Sequence, residues 1–542
     1  MTDFALRRYE DASPDFAWTI PETFNFGVDV VDRWAAFDPS RAALIWCDHQ
    51  GAERRFSFDD IRRLTSRLAN ALRARGVRQG DRIIVMLPRI PEWQMSLVAL
   101  AKLGAIAVPC VTMLTVKDIA YRVENGGVTG AITTAEHAGK FDGLAGLQCR
   151  LSVGARDGWD DFEAALAAAT ETFEPAKVAA EDPALLFYTS GSTGLPKGVV
   201  HSARGLYTWR LSAEFWLTLT PADTMFCTAD TGWSKAGTSI LYGPWSQGST
   251  VLFHDGPFDP ERRFDLIERY GVTVFCAAAT ELRRLITLDV SKRDLSRLRL
   301  TVSAGESLNP EVLAKWREMT GETIHEAYGL TETLMLVCNY PGAAVKPGSM
   351  GRPLPGAHMA VLDEDMRPLP DGQAGQLALR LPSPQLMLGY WRDPQRTPAT
   401  ETIVDGVRYF LTGDNVTRDA DGYLFYAGRA DDVINSAGYR IGPQEVENAL
   451  MEHAAVQEAA AVASPNADRG EIVKAFIVLH NGFAPGPELT RDIQDHVKRV
   501  TAPYKYPRSI EYVSELPKNV VGKINRRELR ARELAAVTQK PA

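Results

Sequence analysis

The 542-residue chain is too long for one compact core and calls for a large domain plus at least one smaller one. Its 45% hydrophobic and 24% charged residues are those of an ordinary globular protein, and a formal net charge of −8 argues against nucleic acid as the main partner. Cys47, Cys110, Cys149, Cys227, Cys276 and Cys338 are widely spaced with no C-x-x-C pair, which excludes a zinc ribbon or disulfide framework and leaves buried thiols in a reducing compartment.

Taken in chain order, Met1 to Trp18 mixes Asp, Arg and Glu without an apolar core, so it does not read as a signal peptide. Phe58 to Arg75 has helical spacing, with Ile61, Leu64, Leu68 and Leu72 on one face. A short apolar strand follows over Asp81–Leu87, then a helix over Pro91–Leu103 and a strand over Ala105–Pro109. The most apolar stretch, near Met95 to Leu114, is interrupted by Lys102, Gly104 and Pro109. It reads as a buried helix and strand, not an integral membrane segment, and a cytoplasmic location follows. The rhythm returns at Arg262–Tyr270 (helix) and Val272–Cys276 (strand). Alternation of this kind predicts an α/β fold with parallel sheets. Beyond about residue 350, turn-rich pieces such as Pro353–Gly356 and Pro370–Gly372 separate short strands and predict a β-rich subdomain. From Arg429 onward the pattern is that of a small α+β module: helices over Pro443–His453 and Leu489–Val500, and a strand over Val473–Leu479. The expected organisation is a large N-terminal domain, 1–430, and a small C-terminal one, 431–542.

The strongest local signal is Leu185 to Gly198, LLFYTSGSTGLPKG. An apolar strand ending at Thr189 runs into a loop of Ser190, Gly191, Ser192, Thr193 and Gly194, and Lys197 follows. Glycines let backbone N–H groups approach an anion closely, the hydroxyls add donors, and the lysine adds a positive charge. The combination describes a polyphosphate cradle. It is not a Walker A loop, because Pro196 precedes the lysine and Gly198 follows it. A surface turn is the competing account, and the density of donors argues against it.

Tyr188 to Ser202, YTSGSTGLPKGVVHS, resembles the signature of the adenylate-forming enzymes: acyl-CoA synthetases, peptide-synthetase adenylation domains and firefly-type luciferases. Similar segments recur in order from about residue 45 to residue 530. Glu326–Thr333, EAYGLTET, resembles the second family motif. The resemblance implies nucleotide contacts from Glu326 and Tyr328, contact of Thr331 with the α-phosphate and the substrate carboxylate, and Mg²⁺ binding by Glu332, a hard oxygen donor suited to that ion. Tyr409–Asp414 resembles the third motif, with Asp414 on the ribose hydroxyls and Arg429 as a second ribose or phosphate contact. It also implies that the C-terminal domain is mobile and turns about Asp431 between two half-reactions.

Ser436–Pro443 resembles the pantetheine-tunnel segment of acyl-CoA synthetases, which assigns Gly438, Tyr439 and Arg440 to coenzyme A. Arg469 and Lys498 fall where medium-chain relatives hold the CoA nucleotide. Leu516–Arg526, LPKNVVGKINR, resembles the final motif and makes Lys523 the catalytic lysine, with Lys197 and Thr331 sharing the catalytic work. A protein acetyltransferase acting on Lys523 would remove its charge. Trp233, Gly305 and Gly329 fall in segments that resemble acyl-pocket linings. Acetate-activating relatives carry a blocking tryptophan where this chain has Gly329, so a space for a longer chain is expected there.

The activity implied is ATP-dependent synthesis of acyl-CoA from a monocarboxylic acid by way of an acyl-adenylate. Medium-chain or branched fatty acids are favoured, with aryl acids such as benzoate next. An adenylation enzyme serving a carrier protein shares the motifs. A serine hydrolase is the rival from another class, and its G-x-S-x-G is only approached by Gly232–Ala236, GWSKA.

Overall fold

The computed structural model describes residues 16–189, 195–306, 308, 310–429, 432, 434–436, 439–466, 470–501, 503–518 and 524–538. The chain divides into two compact units: 1–358 with 381–401, and 359–380 with 402–542.

The first unit holds two sheets. One runs in spatial order Glu53–Ser57, Ala42–Asp48, Thr250–Asp255, Thr224–Cys227, Val274–Cys276, Leu300–Ala304, Ile324–Leu330, Leu334–Cys338 and Ser349–Pro353. Pairing is parallel from Ala42–Asp48 through Ile324–Leu330 and antiparallel at both flanks. The other is an 8-stranded sheet whose parallel centre, Pro183–Thr189, Ile106–Pro109, Arg82–Met86 and Gly130–Thr134, carries Lys197–Ser202 and Gly389–Tyr390 as antiparallel strands at one edge.

These strands are near-continuous apolar runs because both faces are covered. Phe226, Leu252, Phe275, Trp316 and Ile324 pack together in the first core. Ile84, Met86, Val108, Ala131, Leu186 and Val200 do so in the second. Each such side chain contributes about 1.5–3 kcal/mol by leaving water. All six cysteines are buried free thiols, as the spacing implied. The helix over Phe58–Ala74 starts at a capping box in which Ser57 and Asp60 satisfy each other's backbone N–H groups, and Ile61, Leu68 and Leu72 are buried.

The second unit contains the antiparallel strands Met359–Leu362, Ala374–Arg380, Val407–Arg418 and Leu424–Arg429, the β-rich region anticipated after residue 350. It also contains a 5-stranded sheet built on the long pair Val456–Asn466 and Gly470–Leu479, with helices Pro443–Met451, Pro487–Val500 and Arg526–Thr538. Val446, Leu450, Ile477, Ile493 and Val497 form its core. Among the described residues, no helix is long and apolar enough to cross a membrane.

Candidate active site

The site in the first unit is built where strands end. The strand Pro183–Thr189 delivers the chain into the Ser/Gly/Thr loop, and Lys197 opens the returning strand, with Thr189 and Lys197 as register partners. Lys197 is the first residue of that strand, so its direction is fixed by the pleat. The far end of the loop is held by the Tyr121 hydroxyl, which donates to the Pro196 carbonyl at 2.9 Å. Thr189 Oγ1 is buried and has no hydrogen-bond partner among the described residues, so it is free to meet a ligand oxygen. Ser190, Gly191, Ser192, Thr193 and Gly194 lie outside the described residues, as do Asp431, Gly438, Arg469 and Lys523.

Lys197 Nζ donates to Glu332 Oε1 at 2.6 Å, joining the first motif to the second. Tyr390 completes a triangle: its hydroxyl donates to Glu332 Oε1 at 2.9 Å and lies 3.1 Å from Lys197 Nζ. Burial acts to raise the Glu332 carboxyl. The Lys197 charge, with hydrogen bonds from Lys197 and Tyr390, outweighs it and holds the group below the usual carboxylate range. Glu332 is therefore ionised at neutral pH. Tyr390 was not legible as a site residue. It lies 58 positions from Glu332, and its strand of two residues joins the sheet edge at Val199 and Val200.

Thr331 and Glu332 sit in a turn between two strands. The turn is anchored by His201, whose Nε2 lies 2.6 Å from the Thr331 carbonyl. A carbonyl only accepts, so Nε2 carries the proton. Burial pushes His201 down to about 4, and the ring is neutral at pH 7. His201 was visible inside the first motif but carried no signal of its own.

Glu326 is buried, and its Oε1 accepts from the Leu308 N–H at 2.8 Å. Burial raises this carboxyl to about 7. The shown contact braces the segment after strand Leu300–Ala304, where Gly305 has φ +98, a left-handed conformation that disfavours side chains. Trp233 is half-buried at the end of the loop following strand Thr224–Cys227, and Tyr328 is half-buried on strand Ile324–Leu330.

Gly329 requires a correction. A Cβ built there would lie 2.0 Å from the Leu334 carbonyl oxygen. The strand pairing shifts register between Tyr328 and Gly329, and the backbones approach too closely for a side chain. In the Cβ direction the missing indole leaves no space, because main chain fills it.

In the second unit Asp414 and Arg429 are register partners on antiparallel strands, with Arg429 Nη1 3.4 Å from Asp414 Oδ1. The Asp414 side chain is buried and its arginine half-exposed. Tyr439 and Arg440 lie on the strand Tyr439–Ile441. Lys498, on the helix Pro487–Val500, is bonded to Asp495 at 2.8 Å and lies over the Tyr506 ring. The described residues of the lysine motif on either side of 519–523 are well held. Lys518 and Ile524 pair with one another, and Arg526 Nε donates to the buried Glu447 at 3.0 Å.

Among the described residues no group of three or more metal-ligating side chains occurs. A lone carboxylate fits Mg²⁺, which is typically held by one or two carboxylates together with nucleotide phosphates. Glu332 is ionised and supplies the hard oxygen such an ion needs.

Residues 31–391 match the family model described as AMP-binding enzyme, and residues 445–523 match AMP-binding enzyme C-terminal domain. The chain is 41% identical over 545 residues to acyl-coenzyme A synthetase ACSM3, mitochondrial, of Homo sapiens, covering 97% of this chain and 92% of that protein. Its fold is similar to the crystal structure of the anthranilate CoA ligase AuaEII in complex with anthranoyl-AMP, with TM-score 0.86, 33% identity and coverage of 96% and 99% of the two chains. It is also similar to a Brucella canis acyl-CoA synthetase, with TM-score 0.75, 34% identity and coverage of 98% and 100%. The chain belongs to the AMP-binding enzyme family, in its acyl-CoA synthetase branch. It is an acid–thiol ligase that uses ATP and coenzyme A.

Proposed function

We propose that this enzyme converts a medium-chain or branched monocarboxylic acid to its CoA thioester, releasing AMP and pyrophosphate, with aryl acids as the second substrate class. The observation that carries the reading is the Lys197–Glu332–Tyr390 triangle beside the phosphate loop. It places a cation and an ionised carboxylate together where a triphosphate and its metal would need both.

In the first half-reaction the substrate carboxylate attacks the α-phosphorus in line. A carboxylate–phosphorus bond forms, the bridging bond to the β-phosphate breaks, and pyrophosphate leaves with the electron pair. Two anions must approach each other, and fixed positive charge offsets the repulsion. Lys197 takes the outer phosphates and Lys523 the reacting ones. The Thr331 hydroxyl orients the α-phosphate and the carboxylate, with its main chain pinned by His201. Glu332 would hold Mg²⁺ against the phosphates, where the ion supplies further charge neutralisation. Asp414 and Arg429 hold the ribose.

In the second half-reaction the CoA thiol attacks the acyl carbonyl and AMP departs. A thiol with pKa ~8.5 is partly ionised at neutral pH, so no strong base is needed. Gly438, Tyr439, Arg440, Arg469 and Lys498 serve CoA, and Asp431 is the hinge of a C-terminal domain that begins there. A protein acetyltransferase acting on Lys523 would silence the first step. A cytoplasmic location is retained as a proposal; the human relative is named mitochondrial.

The fatty-acid preference rests on the resemblance of the segments 432–443, 469–476 and 504–508 to medium-chain acyl-CoA synthetases, and the aryl alternative draws support from the likeness to the anthranilate CoA ligase. A pyrophosphate-release screen from acetate to decanoate plus benzoate, with and without CoA, decides between them. Peak activity at medium chain length with CoA-dependent AMP formation is expected. Acid-dependent pyrophosphate release that never yields a thioester would place the chain with carrier-protein adenylation enzymes.

A further inference from the structure

Lys235 lies two residues after Trp233, and its ammonium donates to the Ala304 carbonyl at 3.1 Å. Ala304 precedes Gly305, so this bond joins two of the segments assigned to the acyl group. Parallel strands Thr224–Cys227, Val274–Cys276 and Leu300–Ala304 all end here. The carboxyl ends of such strands are where α/β sheets receive ligands.

An ammonium has three donors, and the bond to Ala304 is the one hydrogen bond that Lys235 makes among the described residues. Among the described residues Lys235 makes no ion pair with a carboxylate. Asp230 accepts from the Gly232 N–H at 3.1 Å and the Thr231 hydroxyl at 3.4 Å. Glu281 pairs with Arg263 at 3.4 Å, and Glu306 with Arg283 at 3.7 Å. The lysine's charge falls on two buried thiols, Cys227 and Cys276, which are register partners on neighbouring strands. A half-buried ammonium with two donors unspent is costly beside an alkyl chain and favourable beside an oxygen.

We infer that Lys235 is a specificity residue that selects acids bearing a hydrogen-bond acceptor, an oxo or hydroxyl oxygen, on the chain or ring away from the reacting carboxylate. The inference rests on the acyl-CoA synthetase reading and narrows its substrate class. Lys235 plays no part in the bond-making steps; its ammonium meets the substituent of the acid.

The test is kcat/KM for acid-dependent pyrophosphate release by the full chain with matched pairs: hexanoate against its oxo and hydroxy derivatives, and benzoate against the hydroxybenzoates. The wild type should favour at least one acceptor-bearing acid over its parent by about tenfold or more, the scale of a hydrogen bond to a charged group. Lys235→Met should abolish that preference while leaving the parent acid as good a substrate or better, and Lys235→Arg should keep part of it. Absence of any preference in the wild type, which needs no variant to fold, overturns the inference. So does a Lys235→Met variant that slows both members of a pair equally, since the ammonium would then serve the carboxylate or the nucleotide. Pyrophosphate release with the parent acids and no preference for their derivatives defeats this inference alone; inactivity with every acid defeats the synthetase reading as well.

Discussion

The two units use buried ion pairs differently. In the first, Lys197, Glu332 and Tyr390 meet at the site itself, each on an element that ends there. In the second, the buried Glu447 takes Arg526, the last residue of the lysine motif, and Asp432 takes Arg530 beyond it. The first arrangement stores charge that must be redistributed when a polyanion arrives. The second is scaffolding that anchors the chain at and just beyond the C-terminal end of that motif. Substitution in the first should therefore alter catalysis at modest cost in stability, and substitution in the second the reverse.

The largest effect should come from Lys523, the lysine proposed to meet the reacting phosphates. Lys523→Ala is expected to slow acid-dependent adenylation by about 10²–10³-fold, the scale of losing one transition-state donor. Thioester formation from preformed acyl-adenylate should be much less affected. Equal loss in both half-reactions would erase the distinction between the units' roles.

Arg526→Met leaves the Glu447 carboxylate buried without its partner. A destabilisation of about 3–5 kcal/mol is expected in the denaturant unfolding of the second unit. An unchanged midpoint would show that Glu447 is held neutral; burial raises its pKa although Arg526 opposes it.

Both effects concern residues that the sequence offered in unequal measure. The α/β rhythm, the phosphate loop and the order of motifs were readable because each is local: apolar runs of fixed period, and glycine and hydroxyl residues in one stretch. The helix Pro91–Leu103 matches its expected bounds, because Pro91 opens it and Gly104 closes it. The paired strands Ala42–Asp48 and Glu53–Ser57 went unread, the second because Glu53, Arg54 and Arg55 mask its period on an exposed edge. Tyr390 and the role of His201 were hidden because their partners lie 58 and 130 positions away. Gly329 was visible but misread, since sequence reports a missing side chain and not the carbonyl that occupies its place.

That last point gives a third prediction, within the first unit. Gly329→Ala should cost about 1–3 kcal/mol in unfolding free energy, the scale of overpacking, and lower activity with every acid. A stable Gly329→Ala or Gly329→Trp enzyme with preference shifted to short acids would restore the open-space account.

The smallest effect separates the units by pH. His201, His254 and His325, all in the first unit, are each pushed down to about 4, chiefly by burial. Between the ordinary imidazole value of 6.5 and about 4, the unfolded chain binds protons that the folded chain refuses, so stability falls as pH falls through this window. Glu326, raised to about 7, opposes this as one carboxyl against three imidazoles. His325→Asn should flatten the dependence by up to about 1.4 kcal/mol per pH unit in urea unfolding of the first unit. An unaltered slope would mean that this imidazole is protonated in the fold.

The most direct test of the central claim follows oxygen atoms. A monocarboxylic acid labelled with heavy oxygen in its carboxylate is turned over with ATP and CoA, and the AMP is analysed by mass. Attack of the carboxylate on the α-phosphorus puts one labelled oxygen into AMP, matched by one acyl-CoA and one pyrophosphate. Unlabelled AMP, or ADP and orthophosphate in its place, would contradict an acyl-adenylate and the account built on it.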